Sequence, residues 1–416
     1  MKTIFRFANM GLFLATIIAL GAVAGFAQDP CTDADGQTTL GDKFRAEYLL
    51  KDLPGRKQAI DTGKQFLEKY GACDAPKDLV DYLKVQIPKM EDSYKKAVAI
   101  DIENKLVARF NTALNSKNWD EVYGSGKDLL ANYGDKYRDV EIVLGSIGYD
   151  ESFKGNFKYN DQTLRYARMS IADLESGKTF SANYGVPKDF VYRSKDNTIG
   201  WMNLIIGYIT GVAQKNKKDA LPYLYKATQA NSDTNKNPIP YEHIGNYYFE
   251  ELDKLITEIP IMGADQKITD TPEVAKAKAD AIKGKIALAN GTSERAMDAF
   301  SRAYSFGAAK LYKDKMHKKL EDAYKLRFDK TAGLDAWIAD AVKKPLINPT
   351  TPVTPISDPE PVVAPTTTPA TTPSTVKPPA KPFSAPGKPA GAAPGKKPAT
   401  KRQSSVKKPV TKKRGV

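Results

Sequence analysis

Residues 59–71 read Ala59-Ile-Asp-Thr-Gly-Lys-Gln-Phe-Leu-Glu-Lys-Tyr-Gly71 and recur without a gap, 63 residues later, as Val122-Tyr-Gly-Ser-Gly-Lys-Asp-Leu-Leu-Ala-Asn-Tyr-Gly134. Apolar residues in both copies follow spacings of three and four, the period of an amphipathic helix. An offset of 63 is close to two repeats of about 34 residues, a period typical of stacked helical hairpins. The duplication predicts an array of paired helices; the alternative is a chance likeness of two amphipathic helices. Five pairs are identical: Gly63/Gly126, Lys64/Lys127, Leu67/Leu130, Tyr70/Tyr133 and Gly71/Gly134.

The same helical period extends from about residue 42 to 344, and sustained period-two alternation is lacking there. Turn signals at Pro54-Gly55, Ser116-Lys-Asn118, Asn160-Asp161 and Asn216 divide the region into helical pairs. Gly71 and Gly134 each predict a left-handed residue at a helix C-terminus. The sequence therefore predicts an all-α protein. Its expected pairs are 44–49 with 60–67, 102–115 with 119–132, 140–153 with 163–174, and 203–213 with 220–230, and 335–342 form a short closing helix.

A motif near the middle of the chain carries a family resemblance. Tyr241-Glu-His-Ile-Gly-Asn-Tyr-Tyr248 is similar to the W-x2-L-G-x2-Y pattern of the first helix of a tetratricopeptide repeat, with Tyr and Ile in place of Trp and Leu. The second-helix signature A-x3-F, extended by a small residue, appears as Ala296, Phe300 and Ala303. It recurs as Ala220, Leu224 and Ala227. The chain thus resembles the tetratricopeptide-repeat family, most recognisably between residues 200 and 307.

The resemblance implies an irregular α-solenoid of five or six stacked antiparallel hairpins over residues 28–344, with insertions at 176–195 and 259–271. Such a solenoid binds a protein or peptide in its concave groove. In this family the side chain after the motif glycine tends to face the groove, which points to Tyr208, Asn246 and Lys285. Asn246 is similar to the asparagine of carboxylate clamps, but Glu242 stands where those clamps place a basic residue. Capture of an acidic peptide terminus is therefore not expected, and an ordinary exposed helix face is the alternative for each position.

Three glycines occupy equivalent places relative to these motifs. Gly245 lies within the first motif, Gly284 stands 12 residues before Ala296, and Gly207 stands 13 before Ala220. A glycine inside a helix costs about 1 kcal/mol relative to alanine. We therefore expect each glycine to lie where a neighbouring helix approaches closely and a bulky side chain fills the adjacent space.

The first 27 residues predict a compartment. Lys2 and Arg6 precede an uncharged apolar run, and the run closes on Gly25-Phe-Ala27, whose small residues suit a signal peptidase. We interpret residues 1–27 as a cleaved secretory signal peptide; the alternative is a retained membrane anchor, since residues 7–28 are uncharged. The expected location is the periplasm or the extracellular side of a bacterial envelope.

The two cysteines, Cys31 and Cys73, fall in the predicted exported part, where thiols become oxidised. We expect a disulfide between them that stabilises the fold by about 4 kcal/mol through loop entropy; two unpaired thiols are the alternative. The two histidines, His243 and His317, stand alone in helical contexts. No metal site is expected from them.

The end of the chain differs from the rest in composition. Residues 345–416 contain 17 of the 27 prolines, and residues 377–416 contain twelve basic residues and no acidic one, which accounts for most of the net charge of +14. Such segments bury too little apolar surface to fold. The sequence predicts a disordered Pro/Thr-rich spacer at 345–376 and a disordered Lys/Pro-rich tail at 377–416. The tail is expected to meet anionic envelope polymers or lipid headgroups; nucleic acid is the runner-up, and a tail without a partner is the alternative.

Catalytic patterns are few. Residues 172–179 match a loose phosphate-loop pattern, but they end an amphipathic helix, so we interpret Gly177-Lys178 as a helix terminus. Glu141, Glu250 and Glu251 are interpreted as solvated carboxylates rather than as an acid/base pair. We therefore expect a non-catalytic exported scaffold without a cofactor. An envelope enzyme or polysaccharide- or peptidoglycan-binding protein is the alternative, followed by a nucleic-acid-associated protein.

Overall fold

A computed structural model of the protein describes residues 29–181, 185 and 190–359. The predicted signal peptide (1–27), the basic tail (377–416) and most of the spacer lie outside these residues. Within them regular structure is helical and strands are absent, which confirms the all-α prediction. The twelve α-helices of the described part are α1 (Ala34–Tyr48), α2 (Leu53–Tyr70), α3 (Lys77–Asn115), α4 (Trp119–Tyr133), α5 (Asp139–Phe153), α6 (Asn160–Glu175), α7 (Lys195–Tyr208), α8 (Lys217–Gln229), α9 (Pro238–Ala264), α10 (Pro272–Phe306), α11 (Lys310–Phe328) and α12 (Leu334–Ala341).

Each helix packs against the next one along the chain, from α1 to α12. The predicted pairs correspond to α1/α2, α3/α4, α5/α6 and α7/α8, and α12 is the predicted closing helix. Helix α5 also packs against α7, α7 against α9, and α10 against α12. Every second helix from α5 to α9 therefore lies in one layer, because these helices contact one another as well as their partners in the pairs.

Helix α3 is much longer than its predicted segment, which began at residue 102. Its first half buries Val80, Leu83 and Ile87 in a core shared with α1 and α2. Its last turns bury Phe110 and Leu114 in a second core shared with α4, α5 and α6. One continuous 39-residue helix thus serves two cores.

The disulfide joins Cys31 to Cys73, with the two Cα atoms 5.1 Å apart, which is the pairing that the sequence predicts. Nearby, Asp33 caps α1 and its other carboxylate oxygen accepts from Lys69 Nζ at 2.8 Å and Tyr70 Oη at 2.7 Å. These bonds lower the pKa of Asp33 to about 2. The chain before α1 is therefore held by an ionic link to the end of α2 and by a covalent link to the turn that follows it.

The turns between paired helices use left-handed residues. Lys117 (φ 55°), Gly155 (φ 81°) and Lys215 (φ 58°) occupy the α3/α4, α5/α6 and α7/α8 turns. After the first two, the next amide bonds back to the helix, from Asn118 N to Ala113 O and from Asn156 N to Glu151 O, both 2.9 Å. These bonds provide a donor to main-chain carbonyls that would otherwise have no hydrogen-bond partner at the helix end.

The predicted left-handed conformation of Gly71 and Gly134 is wrong. Both glycines end their helices, but their φ angles of −63° and −53° are right-handed. The Gly71 amide still bonds to Leu67 O at 2.9 Å, as within a helix. The helical bonding continues through this residue, so no left-handed turn is needed there.

Two of the three motif glycines lie at close helix contacts. A Cβ added to Gly245 of α9 would lie 2.6 Å from the Phe300 ring on α10, and one added to Gly207 of α7 would lie 2.7 Å from Leu224 on α8. The prediction is wrong for Gly284, where an added Cβ would meet nothing within 4 Å. The reason is that α10 is one helix from Pro272 to Phe306, so Gly284 and Ala296 do not belong to two paired helices.

Substitution of Gly245 by leucine is expected to lower the free energy of unfolding by roughly 1 to 3 kcal/mol, because the new side chain overpacks the Phe300 contact. Gly284→Leu is the matched control on the partner helix. It enters open space and gains helix propensity, so stability is expected to stay equal or rise by up to about 1 kcal/mol. Urea unfolding of the two variants measures both values, and equal losses would contradict the α9/α10 registration.

Residues 345–358, which we term the C-terminal strap, run along α10 in the opposite direction. Arg302 donates to Lys344 O at 2.6 Å, just before the strap begins, and Arg295 donates to Pro352 O at 2.6 Å. Further along, Ile356 N donates to Ala287 O at 2.8 Å. The strap belongs to the same structural unit as the helices, which extends to Asp358.

The strap corrects the predicted start of the disordered spacer at residue 345. Composition correctly indicates that this stretch has little apolar surface, although Leu346 is only 7% exposed. The strap is held instead through its carbonyl groups: those of Thr351 and Pro352 accept hydrogen bonds from Arg295 of α10, and that of Pro349 accepts one from Tyr248 of α9. Such bonds do not depend on the strap's own side chains, so composition does not indicate them.

Candidate functional site

Four aromatic side chains, which we term the aromatic row, cross the layer formed by α5, α7 and α9. Tyr149 and Phe153 lie one turn apart on α5, with ring centroids 5.2 Å apart. Tyr208 of α7 stacks on Phe153 at 4.7 Å and meets Tyr149 edge-on at 5.1 Å. His243 of α9 meets Tyr208 edge-on, with ring centroids 5.4 Å apart. Three hairpins therefore contribute to one continuous set of ring contacts, in which Tyr208 is buried at 8% exposure and Phe153 is the most exposed member at 54%.

Burial controls protonation within the row. It lowers the pKa of His243 to about 4, although the neighbouring Glu242 carboxylate opposes this shift. Burial likewise raises the pKa of Tyr208 and of Tyr149. At neutral pH the row is therefore uncharged.

A cluster of opposite charges adjoins the row on α9 and α11. Lys319 donates to Asn246 Oδ1, and Lys315 binds Glu242 at 3.0 Å. Burial lowers the pKa of Lys319. On the α8 side, Lys217 pairs with Glu250. A cavity of about 800 Å³ opens beside this cluster, with His243, Asn246 and Glu250 in its lining.

Two of the three predicted binding residues come together here. Tyr208 lies in the row, and Asn246 lies one turn along α9 from His243. Lys285 does not join them; it pairs with Glu258 at 2.8 Å, further along the α9/α10 pair. Sequence reasoning missed Phe153 and Lys319. The i, i+4 spacing of Tyr149 and Phe153 is a usable signal, whereas Lys319 reaches Asn246 across 73 residues and has no local signal.

The carboxylates considered for acid/base chemistry are placed differently from one another. The interpretation as a solvated carboxylate is wrong for Glu141, which is 2% exposed; burial, together with the charge of Asp173, raises its pKa to about 7. A substrate cannot touch this side chain as it lies. Glu251 pairs with Lys254 at 2.6 Å on the helix surface.

The segment that matches the phosphate-loop pattern ends α6. Gly177 is left-handed, with φ 81°; its amide bonds to Leu174 O, and the Lys178 amide bonds to Asp173 O at 3.1 Å. The Lys178 ammonium group pairs with the Asp173 carboxylate at 2.7 Å. The interpretation as a helix terminus is confirmed, because these two bonds form a Schellman cap.

Across residues 29–181, 185 and 190–359, no group of three or more His, Cys, Asp and Glu side chains is arranged to hold a metal ion. No helix of this same part of the chain has the length and apolar character needed to cross a bilayer. Comparison of the chain with protein-family models, with curated proteins and with solved structures finds no match.

His243 is expected to make the folded state less stable in acid. Its pKa falls from 6.5 to about 4 on folding, so between these values the unfolded chain binds a proton that the folded chain does not. Stability is therefore lost as the pH falls from 6.5 to 4, by about 3 kcal/mol in total. In His243→Gln this loss disappears, which urea unfolding at pH 4 to 7 measures.

Glu141→Gln provides the opposite control. Because the pKa of Glu141 rises from 4.5 to about 7 on folding, the carboxyl of the folded chain holds a proton between these pH values, whereas that of the unfolded chain does not. Its ionisation costs stability as the pH rises through this window, and glutamine removes that cost. Relative to wild type, the two variants should change the pH slope in opposite directions. Parallel curves for both would contradict the buried positions of these groups.

Proposed function

We propose that this chain is an exported, non-catalytic helical-repeat scaffold that binds a protein or peptide partner on the surface containing the aromatic row and the adjoining charged cluster. Its helices form an irregular α-solenoid of stacked antiparallel hairpins similar to tetratricopeptide repeats. The predicted signal peptide directs it to the periplasm or the extracellular side. The basic tail at 377–416 holds it near anionic envelope polymers or lipid headgroups.

The packing order of the helices supports the solenoid. In stacked hairpins the first helix of each pair contacts its own partner and the first helix of the next pair. The contacts of α5 with α7 and of α7 with α9 follow this rule. The small-to-aromatic contact between Gly245 and Phe300 is of the kind that the repeat motif requires.

The aromatic row is the observation that carries the binding function. Aromatic side chains with an exposed face are enriched at protein interfaces, because they bury a large area at small entropic cost. Phe153 exposes 54% of its surface directly beside Tyr208. The charged cluster at Asn246 then supplies a polar edge with both signs of charge.

Pulldown from an envelope extract tests this proposal, with Phe153→Ala as the variant and Phe157→Ala as its matched control. Phe157 is 52% exposed but lies in the α5/α6 turn, outside the row. We expect a partner that wild type and Phe157→Ala retain and Phe153→Ala loses. Equal capture by all three would contradict the proposed surface.

Deletion of residues 360–416 separates the two binding modes. Attraction through the tail weakens steeply with salt, whereas a partner on the aromatic row stays bound by the truncated chain across a salt series. Turnover of a glycan or peptide by the purified protein would instead support the envelope-enzyme alternative.

A further inference from the structure

A second cavity, which we term the strap cavity, lies between the C-terminal strap and α6, α8 and α9. Its volume is about 830 Å³, which lies within the range of small-ligand sites. Arg168 of α6 forms one side, Tyr223 of α8 and Tyr247 of α9 contribute aromatic rings, and strap residues 349–353 form another wall. None of the residues of the aromatic row lines it.

The segment directly after α7, Ile209–Ala213, is a π-helical turn that contributes Thr210 to the lining of the cavity. Such turns are frequent at functional sites. Thr210 of this turn is 6% exposed and lines the cavity, yet its hydroxyl has no hydrogen-bond partner within the described part of the chain. A buried polar atom without a partner is unfavourable, because it has lost its bonds to water without gaining others. A ligand with polar atoms in the cavity would remove this cost.

Other donors around the cavity are also free. Among the described residues, Arg168, Gln214 and Lys218 make no side-chain hydrogen bond or ion pair. The one carboxylate in the lining, Asp219, is occupied by Asn216 Nδ2 at 2.7 Å. The lining therefore presents unused donors and an excess of positive charge, which suits a ligand rich in oxygen atoms and negatively charged.

The strap wall disfavours a peptide as this ligand. Peptides dock along a chain by bonding to free main-chain groups. The Pro349 carbonyl already accepts from Tyr248 Oη at 2.9 Å, and Pro352 O accepts from Arg295. Neither proline has an N–H to donate.

We propose that the strap cavity binds a saccharide that carries a carboxylate group. The ring faces of Tyr223 and Tyr247 pack against the apolar faces of sugar rings, and the cavity is large enough for more than one ring. Arg168 binds the carboxylate in a forked pair of hydrogen bonds. Gln214 and the Thr210 hydroxyl bond to sugar hydroxyls. This inference does not rest on the proposed protein-binding surface.

Calorimetric titration of the full exported chain tests it. The probes are trigalacturonic acid and a disaccharide that contains N-acetylmuramic acid, with neutral maltotriose and a triglutamate peptide as comparators, each to about 10 mM so that weak affinities are covered. The variants are Arg168→Met and Gln214→Ala, both at exposed positions. Arg165→Met, on the same helix but outside the cavity lining, is the matched control.

We expect at least one acidic saccharide to bind, with an affinity that falls about tenfold in Arg168→Met and about threefold in Gln214→Ala, and stays unchanged in Arg165→Met. Binding by the basic tail cancels in this comparison, because every variant carries the same tail. The proposal is overturned if neither acidic saccharide binds, if maltotriose binds as tightly, if the variants match wild type, or if triglutamate shows the same dependence on Arg168. Loss of the aromatic-row partner would leave these results unchanged, so the two proposals fail separately.

Discussion

Arg295→Met is expected to release the C-terminal strap and to lower the free energy of unfolding by about 3 to 5 kcal/mol. Arg295 is almost fully buried on α10, and its guanidinium group donates to Thr351 O at 2.7 Å, Pro352 O at 2.6 Å and Tyr248 Oη at 2.9 Å. Each hydrogen bond from a charged donor contributes about 1.5 to 3 kcal/mol, and the losses do not add fully. Methionine fills much of the space but leaves the Thr351 and Pro352 carbonyls without the donor that Arg295 provides.

A local reporter distinguishes release of the strap from general loss of stability. The Ile356 amide bonds to Ala287 O at 2.8 Å, so its hydrogen exchange measures whether the strap lies on α10. Exchange at Ile356 should accelerate strongly in Arg295→Met. Thr351→Val is the matched control, since it removes only the hydroxyl that accepts from Arg295 at 3.1 Å, at a cost of about 0.5 to 1.5 kcal/mol. Unchanged exchange in the arginine variant would show that other contacts hold the strap.

Loss of the disulfide is expected to lower the free energy of unfolding by a similar amount, in the part of the protein formed by α1, α2 and the start of α3. Cys31 and Cys73 close a loop of 42 residues, which the loop-entropy model values at about 4 kcal/mol. The double variant Cys31→Ser, Cys73→Ser should therefore unfold at a much lower urea concentration. Because the core shared by α1, α2 and the start of α3 is separate from the next core, the loss should concentrate there.

Limited proteolysis checks this location. Cleavage within α1 is expected to appear at urea concentrations where α5 to α10 remain protected. Reducing agent should reproduce the effect in wild type and do nothing further to the double variant. Uniform protection along both proteins would argue that the disulfide adds no stability to the first three helices.

The helical pairs could be predicted because their signals are local. Apolar spacing and the turn residues at 116–118 and 216 suffice to separate α3 from α4 and α7 from α8. The close contact at Gly245 followed from a motif in which a small residue faces an aromatic one. Gly284 misled the prediction, because a fixed offset from Ala296 does not distinguish a hairpin from one long helix.

The dipeptide Asn290-Gly291 shows why the strap escaped prediction. It resembles a turn signal, yet it lies inside α10. Asn290 Nδ2 donates to Ile356 O at 3.0 Å, and the Thr354 carbonyl occupies the space that a Cβ at Gly291 would need. These residues suit the approach of a strap more than 60 positions away, and no local pattern encodes such a contact.

The residues of the candidate site also fall into those with a local sequence signal and those without one. Tyr208 and Asn246 were predicted through the family resemblance, since the residue after each motif glycine has a defined direction. The stacking of Phe153 on Tyr208 and the bond from Lys319 to Asn246 join helices that are distant along the chain. The strap cavity likewise requires four separate segments to meet. Only tertiary packing brings such groups together.

A crystal structure of residues 28–416 would show directly whether successive hairpins place α5, α7 and α9 in one layer crossed by the aromatic row. We expect the Tyr208 ring to contact both Phe153 and His243, at centroid distances near 4.7 and 5.4 Å. A β-sheet in this region, or a bundle in which α7 packs against neither α5 nor α9, would contradict it.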